Sequence, residues 1–427
     1  MTEVDRADLA DATAPALVTD LPGPNASEWI ERDRRVTSPS MGRVYPLVPA
    51  RAAGLVIEDV DGNRFLDFNA GIAVTSTGHC HPAVVDAISR QAGELIHYCS
   101  SDFYPPVYAE LAERLVARAP IAGESKVFLT NSGTEAVEAS IKLARHSTGR
   151  QYVIAFLGAF HGRSLGSLSL TASKARYRQG FSPLLPGVHH APYGVDGYIE
   201  DVLFKHLVSP EEVAAVIVEP IQGEGGYVVP APGWLARIQE LCIRHGILFV
   251  ADEIQTGIGR TGRLWAVEHE GIRPDVLLSG KGIASGMPLG ALIARSDLMR
   301  WSAGAHGSTF GGNPVACAAA LATLDLVEGS LTDNAAAVGD LLMTRLRELQ
   351  ARQPLLTDVR GRGLMIGIDF PDHHTAAEVE QSCFRRGLLV LTCGERAIRF
   401  APALTVRPEQ AETAVSILAD ACVEVAS

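Results

Sequence analysis

Positive charge is scarce in this chain: 37 lysines and arginines stand against 49 aspartates and glutamates, for a formal charge of −12. That deficit argues against a general nucleic-acid or anionic-membrane surface, while leaving room for a local basic pocket. Cysteine is sparse and odd in number, with seven residues at 80, 99, 242, 317, 383, 393 and 422 and no C-x-x-C spacing. Neither a disulfide framework nor a zinc site is indicated, and a reducing, cytoplasmic home is expected. No apolar stretch reads as long enough to span a membrane, no internal repeat recurs and no low-complexity tract interrupts the chain. What is present is 427 residues of ordinary globular composition, 47% hydrophobic and 20% charged, enough for one large and one small domain.

Residues 1–20, with five acids against Arg6, read as a mobile tail, and the proline-containing stretch after it as an extended lead-in to about Pro49. Residues 54–68 read as a β-hairpin turning at Asp61-Gly62 between alternating apolar arms. From there to Leu321, short apolar runs (126–130, 152–156, 214–219, 247–252, 276–279 and 289–294) alternate with helical patterns. This βαβ rhythm predicts an α/β domain with a mostly parallel sheet, helices on both faces and ligands beyond the strand C-termini. The last hundred residues mix a long helical pattern (335–352) with short strands, which predicts a smaller α+β domain. The expected division is therefore 1–20 (tail), 21–64 (a segment packing with the small domain), 65–321 (large domain) and 322–427 (small domain).

Two strand ends carry chemistry. Lys281 closes the run Val276-Leu-Leu-Ser-Gly-Lys, and Asp252 closes Ile247-Leu-Phe-Val-Ala-Asp. A partly desolvated lysine favours its neutral amine, which can condense with an aldehyde as a Schiff base. A carboxylate opposite keeps a pyridine nitrogen protonated, so the pair matches what pyridoxal 5′-phosphate requires. Ser132-Gly133-Thr134 precedes an apolar helical stripe and so lies at a helix N-terminus, where unpaired N–H groups suit a phosphate; an ordinary Ser/Thr cap accounts for the same residues. Glu138 and Lys142 form a favourable i,i+4 pair on that helix. Phe160-His-Gly-Arg163 follows another strand, placing an aromatic that could stack on a planar ring and an arginine that could meet a carboxylate; by themselves these residues are more commonly a core phenylalanine and a surface arginine. Gly257-Ile-Gly-Arg-Thr-Gly262 matches a dinucleotide-binding pattern but sits five residues beyond Asp252 without the required helix, and is read as a glycine-rich loop. His79-Cys-His81 has no companion cluster, so no metal is expected.

Taken together, Gly71-Ile-Ala-Val, Asn131-Ser-Gly-Thr-Glu, Phe160-His-Gly-Arg, Val218-Glu-Pro-Ile-Gln-Gly-Glu-Gly-Gly, Ala251-Asp-Glu-Ile-Gln-Thr-Gly, Ser279-Gly-Lys-Gly and Ser308-Thr-Phe-Gly-Gly-Asn-Pro resemble the class III aminotransferases, from roughly Gly54 to Ala403. The resemblance implies the fold type I architecture of pyridoxal-phosphate-dependent transferases. It also implies residue roles: Lys281 as the Schiff-base lysine and proton shuttle, Asp252 at the pyridinium nitrogen, Gln255 near the phenolic oxygen, Gly133 and Thr134 at the phosphate, and Phe160 on the ring. Glu219 matches an acid with a supporting role. Thr309 matches a residue that reaches the neighbouring subunit's phosphate, which implies a homodimer or higher assembly.

For substrate, the resemblance implies an ω-amino acid such as 4-aminobutyrate as donor and 2-oxoglutarate as acceptor, yielding an aldehyde and glutamate. Arg163, with Ile72 beside it, would bind the distal carboxylate. Glu224 would pair with Arg399 until an α-carboxylate displaces it. The surroundings of Lys281 and Phe310-Gly-Gly are also compatible with racemases or epimerases of apolar amino acids on the same scaffold, which is the runner-up reading, and ornithine or acetylornithine transamination is a third.

Overall fold

The computed structural model describes residues 3–427. The first three strands are β1 (Pro49–Ala53), β2 (Val56–Asp59) and β3 (Arg64–Asp67), paired antiparallel in order. The β2–β3 turn lies at Asp61-Gly62 as the pattern predicts, with Gly62 at φ 88° where a side chain would be strained. Seven strands follow in the large sheet: β4 (Ser125–Thr130), β5 (Tyr152–Phe156), β6 (Val188–Ala191), β7 (Val213–Val218), β8 (Leu248–Asp252), β9 (Val276–Ser279) and β10 (Gly290–Arg295). Their order is β4-β10-β9-β8-β7-β5-β6. Contacts among β5 to β9 are parallel, whereas β10 runs antiparallel to both β4 and β9. The six apolar runs are all strands; β6 has no such run, because Val-His-His-Ala lacks an apolar signature.

The central strands β7 and β8 are buried along their whole length, as expected of a sheet covered on both faces. The last strands are β11 (Asp358–Arg362), β12 (Met365–Asp369), β13 (Leu388–Leu389), β14 (Leu391–Cys393) and β15 (Ala397–Phe400). Four of them form an antiparallel sheet in the order β11-β12-β15-β14, while β13 leaves it to pair parallel with β3. The N-terminal hairpin is thereby joined to the C-terminal part of the chain.

Several expectations need correction. The supposed tail contains a helix, Glu3–Asp11, with Leu9 only 1% exposed, and Ala16 exchanges backbone hydrogen bonds with Arg64. Val18 and Thr19 donate their N–H groups to Asn63 Oδ1, so the stretch is fastened to the hairpin; Met1 and Thr2 lie outside the described residues. The lead-in contains another helix, Pro24–Val36. Its first-turn amides, Asn25 N and Ala26 N, are satisfied by the Asp61 carboxylate, a cap supplied from a distant turn and therefore silent in the local sequence. Glu138 does not pair with Lys142. It accepts from Ser164 Oγ at 2.6 Å and Ser167 N at 2.9 Å, and Lys142 reaches His306 instead.

The expected boundary at 321/322 falls within a continuous helical run, Pro314–Gln350, which by length and composition alone could cross a membrane. That run includes Ala316, Cys317, Ala319, Ala320 and Leu324, which belong to the main hydrophobic core.

Candidate active site

Every central residue of the site follows the C-terminal end of a parallel strand or of β4, where an open α/β sheet leaves a crevice. Gly133 and Thr134 come after β4, Phe160 to Arg163 after β5, Glu219 after β7, Asp252 and Gln255 at the end of β8, and Lys281 after β9. Together with Ser132, Ile254 and their neighbours they line one cavity of about 270 Å³. Of the residues expected at the site, Ile72, Glu224, Thr309 and Arg399 do not line it.

Lys281 begins a single tight turn at φ 43°, a left-handed conformation rare for a side-chain-bearing residue. Burial lowers its pKa, with Arg399 adding to the effect and Glu224, Glu219 and Asp252 opposing it. The neutral amine is therefore more accessible than in free lysine. Across the cavity Asp252 is 3% exposed, and its Oδ2 lies 2.6 Å from Nδ1 of the fully enclosed His161. Burial alone would lower the His161 pKa, but the hydrogen bond and charge of Asp252, with Glu219 behind it, raise it. Sequence reading gave His161 no role, because a histidine between an aromatic and a glycine carries no signal of a partner 91 residues away.

Glu219 is buried and accepts from Phe160 N at 2.9 Å and Gly223 N at 2.8 Å, thereby holding the loop that bears Phe160. Burial pushes its pKa up to about 7, with Asp252 adding to the rise and His161 opposing it. Gln255 Oε1 accepts from the Tyr227 hydroxyl at 2.8 Å, which fixes the amide at the cavity wall.

The helix Gly133–Thr148 points its N-terminus into the cavity. Ser132 does cap it, accepting from Glu135 N at 3.4 Å, so the capping and anion-binding readings coexist. A Cβ on Gly133 would meet Ile254 Cγ2 at 2.8 Å, and one on Gly162 would meet Thr134 Oγ1 at 2.3 Å. Two glycines thus let the helix end approach the neighbouring loops. Thr134 Oγ1 is shared with Ser164 Oγ at 2.7 Å and Ser167 Oγ at 2.6 Å, a hydroxyl cluster beside the helix N-terminus. The amine, the buried carboxylate, the aromatic Phe160 and this helix end fit an aldehyde-bearing pyridine phosphate.

Beside Lys281, Arg399 on β15 and Glu224 form a buried ion pair, with side chains 4% and 14% exposed. Burial opposes both charges, yet each partner wins: the Arg399 pKa is raised by Glu224, and that of Glu224 is lowered by Arg399, then by Lys281 and Lys174. Lys174 was not singled out from sequence. Arg399 Nε has no hydrogen-bond partner among the described residues.

Ile72 sits at φ 68° in a turn whose four residues, Ala70 to Ala73, all have positive φ. A left-handed turn costs roughly 1–2 kcal/mol for each residue other than glycine. Asp67 Oδ1 holds its entry, accepting from Asn69 N and Ala70 N at 2.9 Å each, and Asp67 Oδ2 is 2.8 Å from His79 Nε2. His81 caps the helix Pro82–Glu94 through Nδ1. His79 and His81 are thus taken up in structure.

The Gly257–Gly262 loop serves packing. A Cβ on Gly262 would sit 3.0 Å from Ala336 Cβ, and the buried Arg260 donates to the carbonyls of Leu364 and Pro402.

A family model described as aminotransferase class-III matches residues 37–422. An alanine/serine racemase of Pyrococcus horikoshii is 40% identical over 435 residues, spanning 95% of this chain and 92% of that protein. A 4-aminobutyrate aminotransferase of Mycobacterium leprae is 40% identical over 431 residues, spanning 94% and 96%. Among solved structures, the ornithine aminotransferase of Toxoplasma gondii superposes with a TM-score of 0.88 at 33% identity, covering 95% of this chain and 97% of that one.

Proposed function

The chain belongs to the class III aminotransferases, and on that footing we propose that it transfers an amino group from an ω-amino acid such as 4-aminobutyrate to 2-oxoglutarate, giving an aldehyde and glutamate. The observation that carries this reading is the buried Glu224–Arg399 pair. An ω-amino acid has no carboxylate beside its reacting carbon, so a bare guanidinium there would face methylene groups unpaired, at a cost of several kcal/mol. Glu224 neutralises Arg399 in that half-reaction and yields it to the α-carboxylate of glutamate or 2-oxoglutarate in the other. One pocket then serves two substrates.

Pyridoxal 5′-phosphate, on which the family depends, supplies an aldehyde that takes up the amino group and a ring that accepts electrons. Gly133 and Thr134 would hold its phosphate, Phe160 would cover its ring and Gln255 would meet its phenolic oxygen. Asp252, oriented by its hydrogen bond with His161, would hold a proton on the ring nitrogen. Nζ of Lys281 would take the proton from the substrate carbon that bears nitrogen and pass it to the carbon that was the cofactor's aldehyde, a transfer suited to an amine whose pKa burial has lowered. Arg163, at the mouth, binds the distal carboxylate that 4-aminobutyrate and glutamate share.

We further propose a homodimer in which Thr309 reaches the partner's cavity. Thr309 is exposed and flanked by Phe310, 60% exposed, close to His97 and the exposed Ile96. Light scattering of the purified protein would test the assembly.

Amino-acid racemisation is the second reading, favoured by the identity with the Pyrococcus protein. It would use the same lysine and need no keto acid. Incubating a panel of ω- and α-amino acids with and without 2-oxoglutarate, followed by chiral analysis, separates the two. Keto-acid-dependent loss of 4-aminobutyrate is expected; rapid racemisation of an apolar amino acid without it, and no reaction of 4-aminobutyrate, would replace the proposal.

A further inference from the structure

The guanidinium of Arg163 is held by an aromatic surface that its sequence neighbourhood does not announce. Its Cζ lies 3.8 Å from the centroid of the Tyr177 ring and 5.6 Å from that of Phe160. Tyr177 in turn meets Phe160 edge-on, with centroids 6.0 Å apart and planes at 80°. Tyr177 ends a single turn, Ala175–Tyr177, on a loop that returns to the cavity mouth, and it is half-buried although Arg163 is exposed. Among the described residues no carboxylate pairs with Arg163, so the stack is what positions it.

Stacking engages the face of a guanidinium and leaves its N–H groups free in the plane. A cation held over a ring can therefore still offer its fork to a carboxylate. An unstacked arginine would have to give up most of its side-chain freedom on binding. Tyr177 restricts that freedom beforehand. Because the same ring abuts Phe160, which lines the cavity with Lys281, it also sets how far the fork stands from the reacting amine.

We infer that Tyr177 is a positioning residue that presents Arg163 to the distal carboxylate of the substrate and so selects for amino and keto acids that carry a carboxylate remote from the reacting carbon. This rests on the reading of Arg163 as that carboxylate's partner. Lengthening or shortening the substrate by one methylene should then be penalised more in the native enzyme than in a variant without the ring.

The test uses the holoenzyme and glutarate, a dicarboxylate with no amine to react, titrated by calorimetry into wild type, Tyr177→Phe, Tyr177→Leu, Arg163→Ala and the double variant Arg163→Ala/Tyr177→Leu. The ring-retaining Tyr177→Phe should bind within about twofold of wild type, and Tyr177→Leu roughly 3- to 30-fold more weakly, the range for a lost cation–π contact. In the Arg163→Ala background, Tyr177→Leu should add nothing. KM for 4-aminobutyrate and glutamate should rise in Tyr177→Leu with kcat little changed. Wild-type binding by Tyr177→Leu alongside a loss in Arg163→Ala would overturn this inference and leave the proposed function standing. So would tighter binding by Tyr177→Leu, as expected if the ring parked Arg163 away from the substrate, or a further loss in the double variant. No change in Arg163→Ala would instead remove the distal-carboxylate reading itself, and this inference with it.

Discussion

Nδ1 of His161 and Oδ2 of Asp252 lie 2.6 Å apart in a region closed to solvent, joining a loop after β5 to the end of β8. Asp252 Oδ1 meanwhile accepts from Ile254 N at 3.1 Å. Two hydrogen bonds, one to each oxygen, thus fix the orientation of this buried carboxylate.

Asp252→Asn keeps the shape of this arrangement and removes its charge. Cofactor binding should largely persist, because the helix N-terminus at Gly133 and Thr134 is untouched. Turnover should fall by about 10²-fold or more, the usual cost of losing a charge aimed at the reacting group in a dry site. Steady-state kinetics of the cofactor-saturated variant are the check, and a kcat within a few-fold of wild type would reduce Asp252 to a structural role.

Lys281→Ala should abolish turnover, since the other residues around the cavity offer no amine in its place. In the wild-type holoenzyme, borohydride treatment followed by peptide mapping should place the reduced cofactor on the peptide containing Lys281. A label elsewhere would refute the assignment.

Glu224→Gln should split the two half-reactions. With 4-aminobutyrate, Arg399 loses its counter-charge and the rate should fall; with glutamate, the α-carboxylate supplies the missing anion and the rate should be spared. Single-turnover measurements with each substrate decide it, and equal losses would argue against an exchange of partners at Arg399.

Stability should carry the mark of Glu253, which is fully buried, accepts from Val267 N at 2.8 Å and has its pKa pushed by burial up to about 7. The folded state then binds a proton that the unfolded chain releases near its ordinary value of 4.5, so this group favours folding less and less as pH rises from about 4.5 to 7. Above that range its contribution is level. Glu253→Gln should flatten this part of the melting temperature against pH profile, and an unchanged slope would show that the carboxyl is ionised in the native protein.

The strands that carry the site were legible because a buried parallel strand requires a continuous apolar run, and Lys281 and Asp252 stand out where such runs end. The motifs around Gly133 and Phe160, which line the cavity, were legible as residue types at fixed offsets from those strands. The sequence by itself therefore determined the α/β architecture and the family. Only tertiary structure decided which groups meet. Asp61 caps a helix 36 residues before it, Glu138 abandons Lys142 for Ser164 and Ser167, His161 finds Asp252, and Arg163 comes to rest on Tyr177. None of these pairings has a local signature, because each depends on how loops from different strands converge at one edge of the sheet. Burial then fixes the electrostatics: the same lysine, glutamate and arginine side chains would titrate ordinarily in water, and they acquire altered proton affinities only where packing removes solvent and leaves specific charges facing one another.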